Sequence, residues 1–234
     1  MAVTQIDTSF NYDEKTSILL YGPPGSGKTW FGGHMPKNFF ISLDKNGTIG
    51  LKRHGIPFEG VEVDTYEDVQ NVIYDIGMGK RARGRETLVL DHLGLLGEAC
   101  LNKALIESNK KRADLNVWGI TVDHLRLILK QLLDLQKNFH ILVLAHEQIE
   151  KNEVRGGVFG TPHTIGKFAY HVGGMFDLFL YAEQEVTWKN GNQVPQWLIH
   201  TIDYLDFKAK DRLGVLDVVE PNDAEALLGK IYSH

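Results

Sequence analysis

Cysteine is nearly absent: Cys100 is the only cysteine among 234 residues. A disulfide within one chain is therefore excluded, and a reducing compartment such as the cytoplasm is the expected setting. The chain also has no apolar run near the roughly 20 residues that a membrane helix needs, so we expect no membrane partner. The first fifteen residues carry no basic segment followed by an apolar one, which predicts no secretory signal.

Excess positive charge is lacking as well. The formal net charge is −5 at pH 7, which argues against a surface coated with nucleic-acid-binding charge but allows a local basic groove. The ten histidines and the cysteine show no paired ligand spacing, so no structural metal is expected. Repeats, low-complexity tracts and linkers are also missing, which predicts a single domain over residues 1–234.

Short apolar runs alternate with helical patterns through the first two thirds of the chain. Apolar residues at helical spacing predict helices over 65–77, with Thr65 as N-cap, and over 118–138. Nearly continuous apolar runs are typical of strands buried on both faces of a parallel sheet, and four are present, at 17–21, 38–43, 86–91 and 139–145. This alternation predicts an α/β fold with a mostly parallel central sheet.

The pattern changes after about residue 175. Residues 177–202 read as two strands around the turn KNGNQ, which predicts an antiparallel hairpin. Further strands are predicted at 204–209 and 212–220, and a terminal helix is predicted to follow Asn222 or Asp223 as its cap. Antiparallel strands are therefore expected at the C-terminal side of the sheet.

Residues 22–29, GPPGSGKT, match the phosphate-binding pattern G-x-x-x-x-G-K-[ST] between a strand-like run and a helix. Glycines let successive N–H groups point at phosphate oxygens, Lys28 reaches the β- and γ-phosphates, and the Thr29 hydroxyl is a ligand for Mg²⁺. The alternative is a glycine-rich turn without a ligand. We expect ATP and Mg²⁺ to be bound here by one continuous set of residues: Gly22, Pro23, Pro24, Gly25, Ser26, Gly27, Lys28, Thr29 and Trp30.

A carboxylate is needed beside Thr29 to complete the magnesium site. Asp91 ends the apolar run LVLD, at the edge of the sheet where ligands bind in open α/β proteins. We therefore predict Asp91 as the second protein ligand of Mg²⁺. The alternative is that Asp91 only caps a helix beginning near Leu93.

The surrounding segments resemble the RecA-like recombinases and hexameric helicases. Those proteins carry a water-positioning Glu at the end of the strand after the P-loop helix, where this chain has Asp44. Asp is one methylene shorter, so Glu147 is a second candidate, and a turn residue in DKNG is the alternative for Asp44. The resemblance also implies a strand inserted between the P-loop strand and the Asp91 strand, with His146 at its tip as sensor of the γ-phosphate.

The stretch FKAKDRLG, residues 207–214, resembles the K-x-R motif of the same ATPases. The resemblance implies that Lys210 and Arg212 reach the γ-phosphate of a neighbouring subunit, so that the chain self-associates with its ATP site at a subunit interface. Lys208, two residues earlier, is predicted to share the strand face of Lys210. The alternative is a solvated strand edge.

In layout the chain is similar to the small phage-encoded RecA/Rad51-core ATPases associated with single-strand annealing. The similarity includes Trp118–Gly119 at a helix start and the closing pattern from Lys210 to Pro221. It implies a RecA-like P-loop NTPase core that hydrolyses ATP and acts on single-stranded DNA in recombination or strand annealing, with an annealing or single-strand-binding protein as candidate partner. The alternative is a nucleotide-gated DNA-binding or regulatory protein with little turnover.

Two segments, 106–119 and 150–167, combine cations with aromatic residues, as single-strand binding requires. Exposed hinge loops are the alternative. A third basic run, 79–85, precedes the Asp91 strand, so we expect it at the opposite edge of the sheet as a solvated turn, with contact to duplex DNA or a partner as the alternative. The candidate DNA contacts of the first two segments are Lys110, Lys111, Arg112, Trp118, Lys151, Arg155, Phe159, His163 and Lys167.

Overall fold

The computed structural model describes residues 15–151, 158–189 and 191–233. The strands in these ranges are β1 Ser17–Gly22, β2 Asn38–Ser42, β3 Glu59–Glu62, β4 Thr87–Asp91, β5 His140–Lys151, β6 Val158–Pro162, β7 Leu178–Lys189, β8 Asn192–His200, β9 Lys210–Asp211 and β10 Val219–Pro221. The α-helices are α1 Lys28–Gly33, α2 Ile49–Arg53, α3 Tyr66–Gly77, α4 Leu93–Glu107, α5 Leu115–Leu133, α6 Ala169–Val172 and α7 Ala224–Tyr232.

The strands of the described ranges form one sheet of ten, with the main order β10-β8-β7-β1-β5-β4-β2-β3. Pairings among β1, β2, β3, β4, β5 and β7 are parallel. Strands β8, β9 and β10 pair antiparallel at the C-terminal side, and β6 pairs antiparallel with the far half of β5. The predicted α/β fold, mostly parallel with antiparallel C-terminal strands, is confirmed. Strand β5 lies between β1 and β4, as the resemblance implied.

The sheet is buried because its central strands are apolar on both faces. All residues of β1, β2 and β4 are buried. Alternate residues of β1 enter different cores: Leu19 and Tyr21 pack on the side of α3, α4 and α5, whereas Ile18 and Leu20 pack on the side of α1 and α7. Because helices cover both faces, the connecting loops lie at the two ends of the parallel strands. The edge of the sheet formed by the carboxyl ends of these strands carries the candidate site.

The predicted helices start where side chains cap them. Thr65 and Asp68 form a capping box at the start of α3, and Asp223 accepts a hydrogen bond from the Ala226 N–H at the start of α7. Helix α5 starts at Leu115, three residues before the predicted start, because the Asp114 carboxylate caps the N–H of Val117. Among the helices of the described ranges, none combines the length and the apolar character that crossing a membrane would require.

Two strand predictions near the C-terminus are wrong. Residues 204–209 form a tight turn in which the backbone groups of Tyr204 and Phe207 hydrogen-bond each other, at 2.9 and 2.8 Å. Residues 212–218 form a loop because the Asp211 carboxylate accepts hydrogen bonds from three backbone N–H groups, and only the end of the predicted 212–220 strand survives in β10. Lys208 therefore lies outside β9, contrary to the prediction, and pairs with Asp203.

Replacing Asp211 with alanine is expected to lower the free energy of unfolding by about 1–3 kcal/mol, since three backbone N–H groups lose their acceptor. Urea denaturation of wild type and Asp211→Ala measures this difference. The exposed Asp206, on the same segment, gives the matched control Asp206→Ala, which should change stability by under about 0.5 kcal/mol. Equal losses in the two variants would contradict the role assigned to the Asp211 carboxylate.

Candidate nucleotide-binding site

The site begins with the loop that joins β1 to α1. Gly25 and Gly27 have φ of 86° and 83°, in the left-handed region that side chains disfavour. A Cβ at Gly22 would lie 2.0 Å from the carbonyl oxygen of Ala182 on the neighbouring β7. Glycine is therefore required at all three positions for different reasons: two for backbone conformation and one for close packing. The result is a loop whose backbone is exposed to a ligand at the end of a buried strand.

Lys28 is buried at the first position of α1 and is turned toward the loop itself. Its Nζ donates hydrogen bonds to the carbonyl oxygens of Gly22 and Pro23, at 2.9 and 2.8 Å. Burial lowers the pKa of Lys28 to about 8, although the nearby carboxylates of Asp91 and Glu147 act in the opposite direction. The cation therefore lies at the centre of the loop, where it can exchange these carbonyl partners for the oxygens of an anion.

Predicted site residues from four separate segments line one cavity of about 330 Å³. It is bounded by the P-loop and α1, by the residues that follow β2 and β4, and by the middle of β5, where β5 extends beyond the parallel sheet. These segments meet because parallel strands bring their carboxyl ends to one edge of the sheet. The predicted residues brought together in the lining are Pro24, Gly25, Gly27, Lys28, Thr29, Trp30, Asp44, Asp91 and His146.

Two carboxylates face the same small space in this cavity. A Cβ at Gly47 would lie 2.7 Å from Asp91 Oδ2 and 3.3 Å from Asp44 Oδ2, so Gly47 leaves room between them. Asp91 is 5% exposed, and its Oδ2 has no hydrogen-bond partner within the described ranges. A buried carboxylate oxygen without a partner, lining a cavity with the Thr29 hydroxyl, fits the all-oxygen ligand preference of Mg²⁺.

Burial raises the pKa of Asp91 to about 6, and the charge of Asp44 adds to this rise while Lys28 opposes it. The carboxyl group is therefore less acidic than an ordinary Asp, because its anion is held in a poorly solvated place. A cation bound at Asp91 would compensate the same charge.

Two histidine rings complete the inner wall. His92, directly after Asp91, and His146, at the tip of the parallel part of β5, have ring centroids 4.7 Å apart at an angle of 71°. Burial, with a smaller contribution from His146, lowers the pKa of His92 to about 4, and burial also lowers that of His146. Both imidazoles are therefore neutral near pH 7. His92 lines the cavity but was not predicted as a site residue; its position next to Asp91 is the only signal in the sequence.

The two candidates for positioning water are placed differently. Asp44 lines the cavity and accepts a hydrogen bond from the Asn46 N–H through Oδ1, which leaves Oδ2 facing Asp91. Glu147 lies one residue beyond His146, and its Oε2 accepts a hydrogen bond from the Tyr181 hydroxyl at 3.0 Å. The alternative interpretation of Asp44 was a turn residue in DKNG. Asp44 has this contact through Oδ1 and also lines the cavity.

Lys210 and Arg212 lie at the other edge of the sheet from the cavity. Strand β9 pairs with the first residues of β7, at the opposite edge of the sheet from the P-loop. The Arg212 guanidinium is half exposed and donates to the Gly174 carbonyl oxygen at 2.8 Å. Neither Lys210 nor Arg212 lines the cavity that contains the P-loop.

The antiparallel continuation of β5 with β6 extends beyond the cavity. Here the rings of Phe159 and Tyr170 have centroids 5.3 Å apart, and Tyr170 donates a hydrogen bond to Glu150. The side chains of Lys151, His163 and Lys167 are exposed, whereas Arg155 lies outside the described residues.

In the other predicted DNA segment, Lys110 pairs with Asp114, whereas Lys111, Arg112 and Trp118 are exposed. The basic run 79–85 lies before β4, at the opposite edge of the sheet from the P-loop, as expected. Its charges are partly compensated within the chain, since Lys80 and Arg81 pair with Asp75 and Arg85 pairs with Glu59.

Two residues hold the P-loop from outside, through contacts that the sequence did not predict. Trp197 on β8 donates from Nε1 to the Gly25 carbonyl oxygen at 3.0 Å. Asn222, before α7, donates from Nδ2 to the Ser26 carbonyl oxygen at 3.0 Å. No sequence signal could have found them, because they are 172 and 196 residues away from their partners.

The buried strand β1, the P-loop and helix α1 form the unit that defines P-loop NTPases. Strand β5 lies in the sheet between β1 and β4, the strand that ends in Asp91, which is the arrangement of the RecA-like members of this class. A family model described as an AAA domain (AAA_24) matches residues 14–213, and the chain belongs to this family. Membership implies nucleotide binding and, in most such proteins, Mg²⁺.

Two solved structures are similar to the chain at low sequence identity. One is the flagellar accessory protein FlaH of Methanocaldococcus jannaschii, with 9% identity, a TM-score of 0.41, and 89% of this chain and 87% of that chain covered. The other is an ATPase from the type III secretion system of pathogenic bacteria, with 11% identity, a TM-score of 0.48, and 73% and 52% covered. A comparison with curated proteins gave no match.

Replacing Asp91 with asparagine is expected to stabilise the metal-free fold near neutral pH. Because the folded pKa of about 6 exceeds the ordinary value of 3.8, the contribution of Asp91 to wild-type stability is fully present below pH 3.8 and is lost as pH rises through 6. Asparagine resembles the protonated carboxyl, so Asp91→Asn should gain about 2–3 kcal/mol at about pH 7.5 and little near pH 4. Urea denaturation in EDTA measures this, with Asp206→Asn as control; an unchanged or lower stability at pH 7.5 would contradict it.

Proposed function

We propose that this chain forms a single ATPase domain that hydrolyses Mg²⁺-ATP and acts on single-stranded DNA in recombination or strand annealing, like the phage-encoded RecA/Rad51-core ATPases it resembles. The observation that carries this conclusion is the convergence of five predicted side chains in one cavity: Lys28, Thr29, Asp44, Asp91 and His146. Membership of the AAA domain family supports the nucleotide part. The resemblance and the exposed side chains of Lys111, Arg112, Lys151 and Lys167 support the DNA part.

Phosphoryl transfer mainly requires a positioned water and compensation of charge on the γ-phosphate. Lys28 would exchange the carbonyl oxygens of Gly22 and Pro23 for phosphate oxygens, at the positive end of α1. Thr29 and Asp91 would hold Mg²⁺, which when bound neutralises phosphate charge. Of the two candidates for orienting water, the geometry favours Asp44, whose Oδ2 faces the cavity, over Glu147, which bonds Tyr181.

The neutral imidazole of His146 would contact the γ-phosphate region from the tip of the parallel part of β5. Lys210 and Arg212 would supply positive charge to the γ-phosphate of the adjacent subunit, because their place at the opposite edge of the sheet separates them from their own site. Hydrolysis would then depend on self-association.

Single-stranded DNA would bind beyond the carboxyl-terminal edge, along the β5–β6 hairpin and the segment before α5. Exposed cations can follow the phosphates, and the adjacent rings of Phe159 and Tyr170 can stack on bases. An annealing or single-strand-binding protein is the candidate partner, in the cytoplasm of a bacterial host if the chain is phage-encoded.

A nucleotide-gated regulatory protein with little turnover is the second candidate function. One observation favours it: Asp44 stands where the related ATPases carry a longer Glu. A shorter side chain reaches less far toward a water on the γ-phosphate, which would slow hydrolysis without impairing binding.

Hydrolysis is expected to rise with single-stranded DNA in wild type and to be lost in Lys28→Ala and in Arg212→Ala. Mixing these two inactive variants should restore part of the activity, because Lys28→Ala subunits still supply Arg212 to the intact sites of Arg212→Ala subunits. Phosphate release measures both effects. Arg83→Ala, an exposed arginine elsewhere, is the matched control and should retain wild-type activity.

Two results would count against these assignments. Full activity in Arg212→Ala would remove the finger role. Nucleotide binding with negligible turnover, with or without DNA, would favour the regulatory function instead.

Replacing both Lys111 and Arg112 with alanine is expected to weaken oligonucleotide binding and to reduce its salt dependence. If both cations contact phosphates, the slope of log affinity against log salt should become shallower by about 1.4. Fluorescence anisotropy of a labelled oligonucleotide at several salt concentrations measures it. The double variant Lys80→Ala/Arg81→Ala, whose cations pair with Asp75 at the far edge, is the control; equal slopes in all three proteins would argue against this DNA path.

A further inference from the structure

The basic run 79–85 forms a second concave site, at the opposite edge of the sheet from the P-loop. It encloses a cavity of about 340 Å³ against the first residues of β2 and β3. None of the roles proposed above uses this cavity. We infer that it binds a short acidic segment of a partner protein, a contact that needs neither nucleotide nor DNA. Its lining includes four cations and two apolar residues: Lys80, Arg81, Arg83, Arg85, Phe39 and Val61.

Positive charge is in excess around the cavity. Within the described ranges the four cations pair with only two carboxylates, and two of the cations share Asp75. Because exposed ion pairs contribute little to stability, a carboxylate of a partner can replace Asp75 at small cost. The cluster therefore keeps a positive excess for an added anion. The existing pairs are Lys80–Asp75 at 3.5 Å, Arg81–Asp75 at 3.2 Å and Arg85–Glu59 at 2.5 Å.

The loop that carries these cations has a fixed shape. Ala82 is 6% exposed and packs in the core on the side of α3, α4 and α5, although its φ of 53° is a left-handed value that costs a residue with a Cβ about 1 kcal/mol. Arg83 donates from Nε to the Gly79 carbonyl oxygen at 2.7 Å, and the Arg85 N–H donates to the Ala82 carbonyl oxygen at 3.1 Å. A turn that only reversed the chain would not need this buried anchor. The cations are thus held in a set arrangement, which reduces the entropy lost when a ligand binds.

The border of the cavity favours a short acidic segment over nucleic acid. Glu59 lines the cavity, and Glu62 follows three residues later on the same edge strand; both are exposed. Duplex DNA carries one charge per about 1.7 Å of its axis, so a duplex across the cations would also run along these carboxylates. A segment of a few residues can reach the cations without that repulsion.

The residue types in the lining indicate what such a segment contains. Three of the four cations are arginines, and a guanidinium group binds a carboxylate through two parallel hydrogen bonds. Clusters of arginines are a common means of recognising acidic motifs. The buried ring of Phe39 and the partly buried Val61 add an apolar floor. The expected ligand therefore carries several carboxylates and an apolar side chain beside them.

Fluorescence anisotropy with the full chain tests this inference. The probe is a labelled peptide of five aspartates and one leucine, and the same peptide with asparagine in place of aspartate is the uncharged comparison. Wild type should bind the acidic peptide about tenfold or more tightly, since a single hydrogen bond between charged groups contributes that much. Lys80→Ala/Arg81→Ala should lose about tenfold in affinity for the acidic peptide.

Asp75→Asn provides the sharper test, because it removes the competing carboxylate and keeps the size of the side chain. Lys80 and Arg81 then lack their partner within the chain. The acidic peptide should therefore bind about two- to fivefold more tightly than to wild type. Arg126→Ala/Lys130→Ala is the matched control, since both cations are exposed on α5 and neither lines the cavity. It should bind as wild type does, and circular dichroism confirms the folding of each variant.

Several results would overturn the inference. Equal affinity of wild type for the acidic and the uncharged peptide would remove the recognition of carboxylates. Unchanged affinity in Lys80→Ala/Arg81→Ala would place the peptide elsewhere, and unchanged or weaker binding in Asp75→Asn would contradict the competition. A short labelled DNA duplex that binds more tightly than the peptide, and that depends on Lys80 and Arg81, would identify nucleic acid as the ligand instead. None of these measurements includes ATP, so their failure is distinguishable from failure of the proposed function.

Discussion

Two buried charges of opposite sign at one edge of the sheet constrain the site. Lys28 uses loop carbonyl oxygens as partners, and Asp91 has a carboxylate oxygen without any within the described ranges. Burial moves both pKa values toward neutrality, to about 8 and about 6. Such groups weaken the fold unless something compensates them. An anionic phosphate with its cation provides charges of the required signs, so the rest of the site is organised around this pair.

The central strands could be predicted because each is encoded by a short, continuous stretch of the sequence. Strands covered on both faces need continuous apolar residues, and β1, β2, β4 and β5 contain them. The errors came where side chains override the pattern. The run after Asp211 has strand-like residues, yet one carboxylate accepts three of its backbone N–H groups and forms a loop instead. Short β3 is mostly exposed and carries no apolar signal.

The candidate site also has one part that the sequence predicts and another that it does not. The residues from Gly22 to Thr29 could be predicted because one continuous segment forms the loop, and Asp44, Asp91 and His146 follow from strand ends. Trp197 and Asn222 touch the loop through an antiparallel hairpin and the start of the last helix. Their contacts depend on how the chain returns to the sheet, which residue types alone do not reveal.

Strand β5 runs for twelve residues without glycine or proline, first inside the parallel sheet and then in the ribbon with β6. His146 sits at the change between the two environments. Because β5 has no glycine or proline between these two parts, the residue that lines the cavity and the ribbon beyond it belong to one continuous strand. Any displacement of the strand at His146 would therefore also displace the residues that begin the ribbon.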